Sequence, residues 1–195
     1  MNVGIIGSGG REHALCLKIK DSNLVKNIYC FPGNAGTSLI AKNIEIDINN
    51  FNEIRKKALE NNITLLIVGP EKPLVNGIVD FFKNTNIKIF GPNKTASQLE
   101  GSKIFTKKLC KKYNIPTSKF EIFKKKDEAI KYLDNSKYPI VIKADGLASG
   151  KGVYICKSNN EAKNAVSEIF DGKFGKADCV LVEEFLNGEE MSYFI

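Results

Sequence analysis

Pro-Ile-Val-Ile-Lys-Ala-Asp-Gly-Leu-Ala-Ser-Gly-Lys-Gly-Val, residues 139–153, organises the chain on either side of it. The apolar run Ile140–Ile142 has the composition of a buried strand and ends in Lys143. A loop follows with Gly146, Ser149, Gly150, Lys151 and Gly152, and apolar β-formers resume at Val153–Ile155. Glycine lets backbone N–H groups approach phosphate oxygens closely, and lysine supplies point charge. A strand–loop–strand flap of this kind suits a polyphosphate. It is not a P-loop, which has four residues between its first Gly and the Gly-Lys pair, then a Ser or Thr, then a helix. Here three residues separate Gly146 from Gly150, Gly152 replaces the hydroxyl residue, and a strand follows.

Outward from the flap, the second half reads as a small α+β unit. A strand begins after Ser118, a helix lies near Asp127–Leu133, and the flap hairpin comes next. A helix near Glu161–Phe170, a turn at Asp171–Gly175 and a strand at Cys179–Val182 complete it. The first half alternates differently. Val3–Ile6, Asn27–Phe31, Ile44–Ile46, Leu65–Val68 and Ile87–Phe90 read as short apolar strands, with helices near Glu12–Lys20, Phe51–Glu60 and Gly77–Lys83. This βαβ rhythm predicts an open parallel sheet with ligands beyond the strand C-termini. The loops so placed are Gly7–Gly10, Pro32–Gly36 and Gly69–Pro73. Gly91-Pro92 and Ile115-Pro116 punctuate the chain around a helical connector at about Lys94–Tyr113. The predicted domains are 1–92, a connector 93–117, a second unit 118–184 and a terminal segment 185–195.

Gly7-Ser8-Gly9-Gly10 follows a strand and opens a helix, as a dinucleotide fingerprint does, but Glu12 stands where the third glycine belongs. The second strand ends Cys30-Phe31-Pro32, without the acid that grips a nicotinamide-cofactor ribose. A helix N-terminus still favours an anion, and a single phosphate on a ribose fits better than a dinucleotide. Glu12 itself reads as an acid placed favourably in the first helical turn, and His13 as a structural hydrogen-bonding residue. Asn34 and Thr37 read as turn residues. Glu71, between Pro70 and Pro73, reads as a carboxylate held in a rigid loop.

Only two of the 29 basic residues, Arg11 and Arg55, are arginines, and the one tight basic run, Lys124–Lys126, is followed by Asp127 and Glu128. The formal net charge of +7 therefore reads as a solvated lysine-rich surface and not as a nucleic-acid interface. Five cysteines without Cys-x-x-Cys spacing and a single histidine predict no protein zinc site. Cys16, Cys156 and Cys179 fall in apolar segments and read as core residues. No signal peptide precedes the first strand and no apolar run approaches a membrane span, so the expected compartment is the cytoplasm.

The flap resembles that of ATP-grasp enzymes, and further motifs narrow the resemblance to the phosphoribosylamine–glycine ligase family. They are Gly7–Leu15, Pro32–Thr37 (Pro-Gly-Asn-Ala-Gly-Thr), Val68–Gly77, Gln98–Lys103 and Glu183–Glu190 (Glu-Glu-Phe-Leu-Asn-Gly-Glu-Glu). They run in the family's order from Val3 to Ile195, although members are about twice as long. The resemblance implies an α/β chain: a parallel-sheet, Rossmann-like pre-ATP-grasp domain, then the α+β lid half of an ATP-grasp domain. It implies ATP-dependent ligation of glycine to phosphoribosylamine through glycyl phosphate, a step of purine biosynthesis.

By the same resemblance ATP lies against Lys103, Lys143, the Gly146–Gly152 flap, Glu183, Glu184, Leu186 and Glu190. The backbone at Glu183 and Leu186 meets adenine, and Glu190 meets the ribose. Phosphoribosylamine lies against Gly9, Gly10, Arg11, Asn34, Thr37 and Glu71. Magnesium or manganese would accompany ATP on ligands expected beyond Ile195, so no metal ligand is assigned, and these 195 residues are expected to be inactive alone. An apolar face around Phe185, Tyr193 and Phe194 is expected to be uncovered. The alternatives are another ATP-grasp carboxylate–amine ligase, a nucleotide-binding oxidoreductase domain built on Gly7–Gly10, and a non-catalytic binding module.

Overall fold

The computed structural model describes residues 1–147, 151–175 and 177–193. They form two compact units, Met1–Gly101 and Ser102–Ile195.

The first unit is a five-stranded, wholly parallel sheet. Its strands are β1 (Asn2–Gly7), β2 (Asn27–Pro32), β3 (Lys42–Asn43), β4 (Ile63–Val68) and β5 (Lys88–Phe90), in the order β3-β2-β1-β4-β5. Apolar runs without polar alternation are expected of strands covered on both faces. Val3, Ile5, Ile28 and Cys30 pack with Cys16 of helix α1 (Gly10–Lys20) on one face. Ile6, Phe31, Leu66 and Val68 pack with Ile54 and Ala58 of α2 (Phe51–Glu60) on the other. Gly4 is required by this second core, since a Cβ there would lie 2.6 Å from Leu66 Cδ2. Strand order reverses between β1 and β4, the place where open α/β sheets receive ligands beyond the strand ends.

Several boundaries differ from the sequence reading. The strand expected at Ile44–Ile46 lies earlier, at Lys42–Asn43, where side-chain burial matters less than pairing with Tyr29 and Cys30. The helix expected at Gly77–Lys83 is α4 (Ile78–Phe82), preceded by a separate short helix α3 (Glu71–Val75). Glu71 therefore opens a helix instead of sitting in a loop. Pro73 is tolerated because it falls in the first turn, where backbone N–H groups lack helical partners. Gly77, at φ +94°, breaks α3 from α4 in a conformation that costs an L side chain strain. The connector is two helices, α5 (Lys94–Gly101) in the first unit and α6 (Lys103–Lys112) in the second. Ser102 separates them, its hydroxyl accepting from Phe105 N at 3.0 Å as an N-cap.

The second unit is an antiparallel sheet ordered β6-β9-β7-β8: β6 (Phe120–Phe123), β7 (Ile140–Ala144), β8 (Val153–Cys156) and β9 (Val180–Glu184). Helices α7 (Lys126–Leu133) and α8 (Asn159–Phe170) cover one face, burying Ile140, Ile142, Ala144, Cys156, Val180 and Val182 with Ala129, Leu133 and Ile169. Period-two alternation turns Val141, Lys143, Val153, Ile155, Leu181 and Glu183 to the opposite face. Val153 and Ile155 remain 41% and 58% exposed there, an apolar strip beside a lysine. Cys16, Cys30 and Cys156 are buried; Cys179 is only half-buried, because it precedes β9 instead of lying in it.

Candidate functional site

Each unit carries a cluster of candidate residues. In the first, β1, β2 and β4 deliver three loops to their C-terminal ends, and Glu12 lies among them. This carboxylate is only 3% exposed. From the third position of α1 it reaches back to accept the Gly9 N–H at 2.6 Å, the reciprocal half of a capping box. The surrounding glycines are cut to its shape. A Cβ would fall 2.7 Å from Glu12 Cδ at Gly7, 2.8 Å from Oε2 at Gly9 and 1.9 Å from Oε1 at Gly69. Favourable placement in the first turn is thus the smaller part of its role: Glu12 caps the β1–α1 loop and packs against the start of the β4–α3 loop. It also meets a helix N-terminal amide that a dinucleotide pyrophosphate would need.

Arg11 extends the same lacing. Its Nη2 donates to Gly69 O, its Nε lies 3.2 Å from Glu12 Oε1, and both Nη atoms lie 3.3 Å from Glu71 Oε1. The Arg11 side chain remains 58% exposed, so it ties the loops together while still facing solvent. Asn34 Nδ2 donates to Ser8 O at 2.8 Å, binding the second loop to the first. Thr37 is fully buried, its hydroxyl accepting from Asn34 N at 2.7 Å, while Asn34 Oδ1 accepts from Thr37 N at 2.9 Å. Thr37 builds the turn that aims Asn34. His13 packs its ring on Gly36, where a Cβ would come within 2.5 Å of the imidazole, so its structural part is steric. Gly9, Gly10, Arg11, Asn34, Thr37 and Glu71 therefore share one edge of one sheet. Gly10 faces open space: a Cβ there would meet no atom within 4 Å.

In the second unit Lys143 projects from β7 on the open sheet face, 3.0 Å from Glu183 Oε1. Glu183 lies on β9, diagonal to Lys143 across the ladder, because Lys143 pairs with Leu181 and Val141 with Glu183. Its carboxylate is 5% exposed and receives Ser118 Oγ at 2.6 Å and the Lys107 ammonium at 3.0 Å, both on Oε2. Burial pushes its carboxyl pKa up, but Ser118, Lys107 and Lys143 together outweigh burial and hold it below the ordinary value. Oε1 has no aligned hydrogen-bond donor; Lys143 meets it as an ion pair.

The flap's root is tied down separately. Asp145 accepts from Ser102 Oγ at 2.9 Å and from Ile104 N at 3.1 Å, and Lys103 Nζ donates to Gly146 O at 3.0 Å. Gly146 adopts φ +95°, which an L side chain would resist. At the far side Gly152 is buried, its carbonyl accepting from Ala144 N at 2.8 Å, and Lys151 is exposed. Ser149 and Gly150 lie outside the described residues. Glu184 spends its carboxylate on Lys119 N at 2.7 Å, whereas Leu186 is 65% exposed and Glu190 is also exposed. Phe185 and Tyr193 are exposed as well, and Phe194 lies outside the described residues. Sequence reasoning does not single out Glu12, Lys107, Ser118 or Asp145 as site residues. For Glu12 a signal exists, an acid at the third fingerprint-glycine position; for Lys107 and Ser118 the partners lie 10 to 76 positions away, and for Asp145 they lie 41 to 43 positions away.

Among the described residues, no group of three or more His, Cys, Asp or Glu could hold a metal ion, and no helix is long and apolar enough to cross a membrane.

A family model for the phosphoribosylglycinamide synthetase N domain matches residues 1–100, and one for the ATP-grasp (A) domain of the same synthetase matches residues 101–195. The chain is 48% identical over 196 residues to a phosphoribosylamine–glycine ligase of Caldanaerobacter subterraneus, covering 100% of this chain and 47% of that protein. It is 49% identical over 195 residues to one of Mesorhizobium japonicum, covering 100% and 46%. A crystal structure of phosphoribosylamine–glycine ligase from Thermotoga maritima superposes with a TM-score of 0.78 at 32% identity, covering 97% of this chain and 45% of that one. The chain thus spans about half the length of the curated relatives it matches.

Proposed function

The chain belongs to the phosphoribosylglycinamide synthetase family, and from that premise we propose that a protein carrying it joins glycine to 5-phosphoribosylamine using ATP. The γ-phosphoryl group passes to a glycine carboxylate oxygen, giving glycyl phosphate and ADP. The phosphoribosylamine nitrogen then attacks the carbonyl carbon, phosphate leaves with the C–O bond, and the nitrogen loses a proton. Glycinamide ribonucleotide, ADP and phosphate result. Water would hydrolyse the acyl phosphate, so closure over it is part of the chemistry.

The observation that carries the nucleotide half is the open face of the second sheet. Lys143 stands beside the exposed apolar strip Val153–Ile155, with Lys103 bonded to the root of the flap. An apolar strip suits a purine ring, and cations at one end suit its phosphates. A charge pair near 4 Å is worth roughly 4 kcal/mol at an effective dielectric near 20. The flap residues Gly146, Ser149, Gly150, Lys151 and Gly152 would close over the phosphates. The backbone at Glu183 and Leu186 would meet adenine beside Glu184, and Glu190 the ribose. In the first unit, Gly10, Arg11 and Asn34 would hold the sugar phosphate beside the Gly9 backbone, whose own N–H is taken by Glu12, with Thr37 fixing Asn34. Glu71 would take ribose hydroxyls or the amine. Magnesium accompanies ATP in ATP-grasp enzymes generally; no ligand for it is assigned among these residues. The proposed compartment is the cytoplasm, with small molecules as the only partners.

ATP turnover by the full-length protein supplied with glycine and phosphoribosylamine tests the reading. Turnover is expected with this pair. Turnover with bicarbonate or another amine acceptor, and none with this pair, would move the protein to another ATP-grasp branch.

A further inference from the structure

Lys107 is a buried lysine that the proposed chemistry does not use. Its ammonium donates to Thr117 Oγ1 at 2.7 Å, to Ser118 Oγ at 2.6 Å and to Ser118 O at 3.3 Å. It also lies 3.0 Å from Glu183 Oε2, with its side chain 11% exposed. The Phe120 ring covers it at 5.6 Å. So enclosed, Lys107 cannot swing out to a ligand. Lys143 differs in each respect. Its side chain is 27% exposed, and among the described residues its ammonium meets only Glu183 Oε1, as an ion pair at 3.0 Å, with none of the hydroxyl and carbonyl bonds that hold Lys107. Glu183 thus sits between one fixed cation and one that can leave.

The charges decide what this does. Glu183 and Lys143 alone would form a neutral pair, and an arriving anion would have to compete with a buried carboxylate for Lys143. A second buried cation neutralises the carboxylate and leaves a net single positive charge at Lys143, the member that faces the open sheet. Removing one partner from a buried pair leaves the other charge uncompensated, which is costly in a low-dielectric site. We propose that Lys107 is a positioning residue for nucleotide binding: by neutralising Glu183 it releases the Lys143 ammonium to the phosphates of ATP. The inference rests on the proposed nucleotide site at Lys143. It assigns Lys107 no contact with substrate.

The test compares KM for ATP with kcat in the full-length protein. Lys107→Met should raise KM for ATP about tenfold, leave KM for the amine substrate within about twofold, and largely spare kcat at saturating ATP. Adding Glu183→Gln, which removes the uncompensated carboxylate, should bring KM for ATP back at least threefold. A purely structural role for Lys107 would lower the active fraction and melting temperature with KM for ATP unchanged, and that result overturns the proposal. So does a double variant as weak for ATP as the single one. Should Lys107→Met not fold, Lys107→Gln keeps a donor for Ser118 and carries the same expectations. Lys143→Ala, measured alongside, separates the two levels. If it raises KM for ATP and the Lys107 variants do not, only this inference fails. If it does not, the nucleotide site itself is misplaced and the inference falls with it.

Discussion

Among the described residues, each unit buries one carboxylate against basic side chains, and the two are used in opposite ways. Glu12 is bonded chiefly to backbone, accepting Gly9 N–H at 2.6 Å and fitted against the glycine backbone of two loops. Glu183 is bonded to side chains, with lysines on both oxygens and Ser118 on one. A carboxylate that takes up a helix-terminal amide rigidifies a loop pair and withdraws one amide from any ligand. A carboxylate between two lysines spaces cations and leaves the net charge positive. The first arrangement suits a preformed crevice for a neutral sugar with one anionic end. The second suits a polyanion that brings its own charge and finds lysines already aimed.

Three perturbations would break or sharpen this contrast. The largest is Glu183→Gln, which leaves Lys107 buried without a counter-ion and should destabilise the protein by about 3 kcal/mol, read as a lowered denaturation midpoint. The same residue sets an acid dependence. Its folded-state carboxyl pKa lies below the unfolded value, so its stabilisation is complete above the ordinary carboxylate pKa and is lost as pH falls through the depressed one. Wild type should therefore lose stability on acidification more steeply than Glu183→Gln; parallel pH profiles would contradict a charged Glu183.

Gly69→Ala should come next. Its Cβ would fall 1.9 Å from Glu12 Oε1, and such overpacking costs about 1–3 kcal/mol. Shortening the clashing side chain with Glu12→Ala in the same protein should recover part of that loss. No recovery would mean that the Gly69 backbone, and not Glu12, sets the constraint.

The smallest effect is expected at Gly10→Ala. No atom lies within 4 Å of a Cβ there, and the residue opens α1. Stability should rise by about 0.5–1 kcal/mol as the unfolded chain loses freedom. Ribose 5-phosphate binding should fall, because the methyl group enters the space assigned to the ligand. Unchanged binding would put the sugar phosphate elsewhere.

The sequence made the periodic parts of this molecule legible. The strand runs at β1, β2, β4 and β7, the helices α2 and α8, and the β7–β8 hairpin pairing all follow from local composition. The ends of β1, β2 and β4 then place the loops proposed to bind ligand. What escaped were features fixed by side-chain partners, near or far along the chain, and not by periodicity. Gly7, Gly9 and Gly69 look like turn glycines until Glu12 is seen to fill the room they leave. Lys107 looks like any lysine of a basic helix until Ser118 and Glu183, 65 positions apart from each other, close around it. The α3 helix escaped for a local reason: Pro70 and Pro73 read as loop residues, but a proline in the first helical turn forfeits no hydrogen bond.

The most direct test of the central claim, that the second unit's open face holds a nucleoside triphosphate through Lys143, is calorimetric titration of ATP into the full-length protein and into its Lys143→Ala variant, with ribose 5-phosphate as the internal control. The account predicts ATP affinity at least tenfold weaker in the variant and ribose 5-phosphate affinity unchanged. Equal ATP affinity in the two proteins would contradict it.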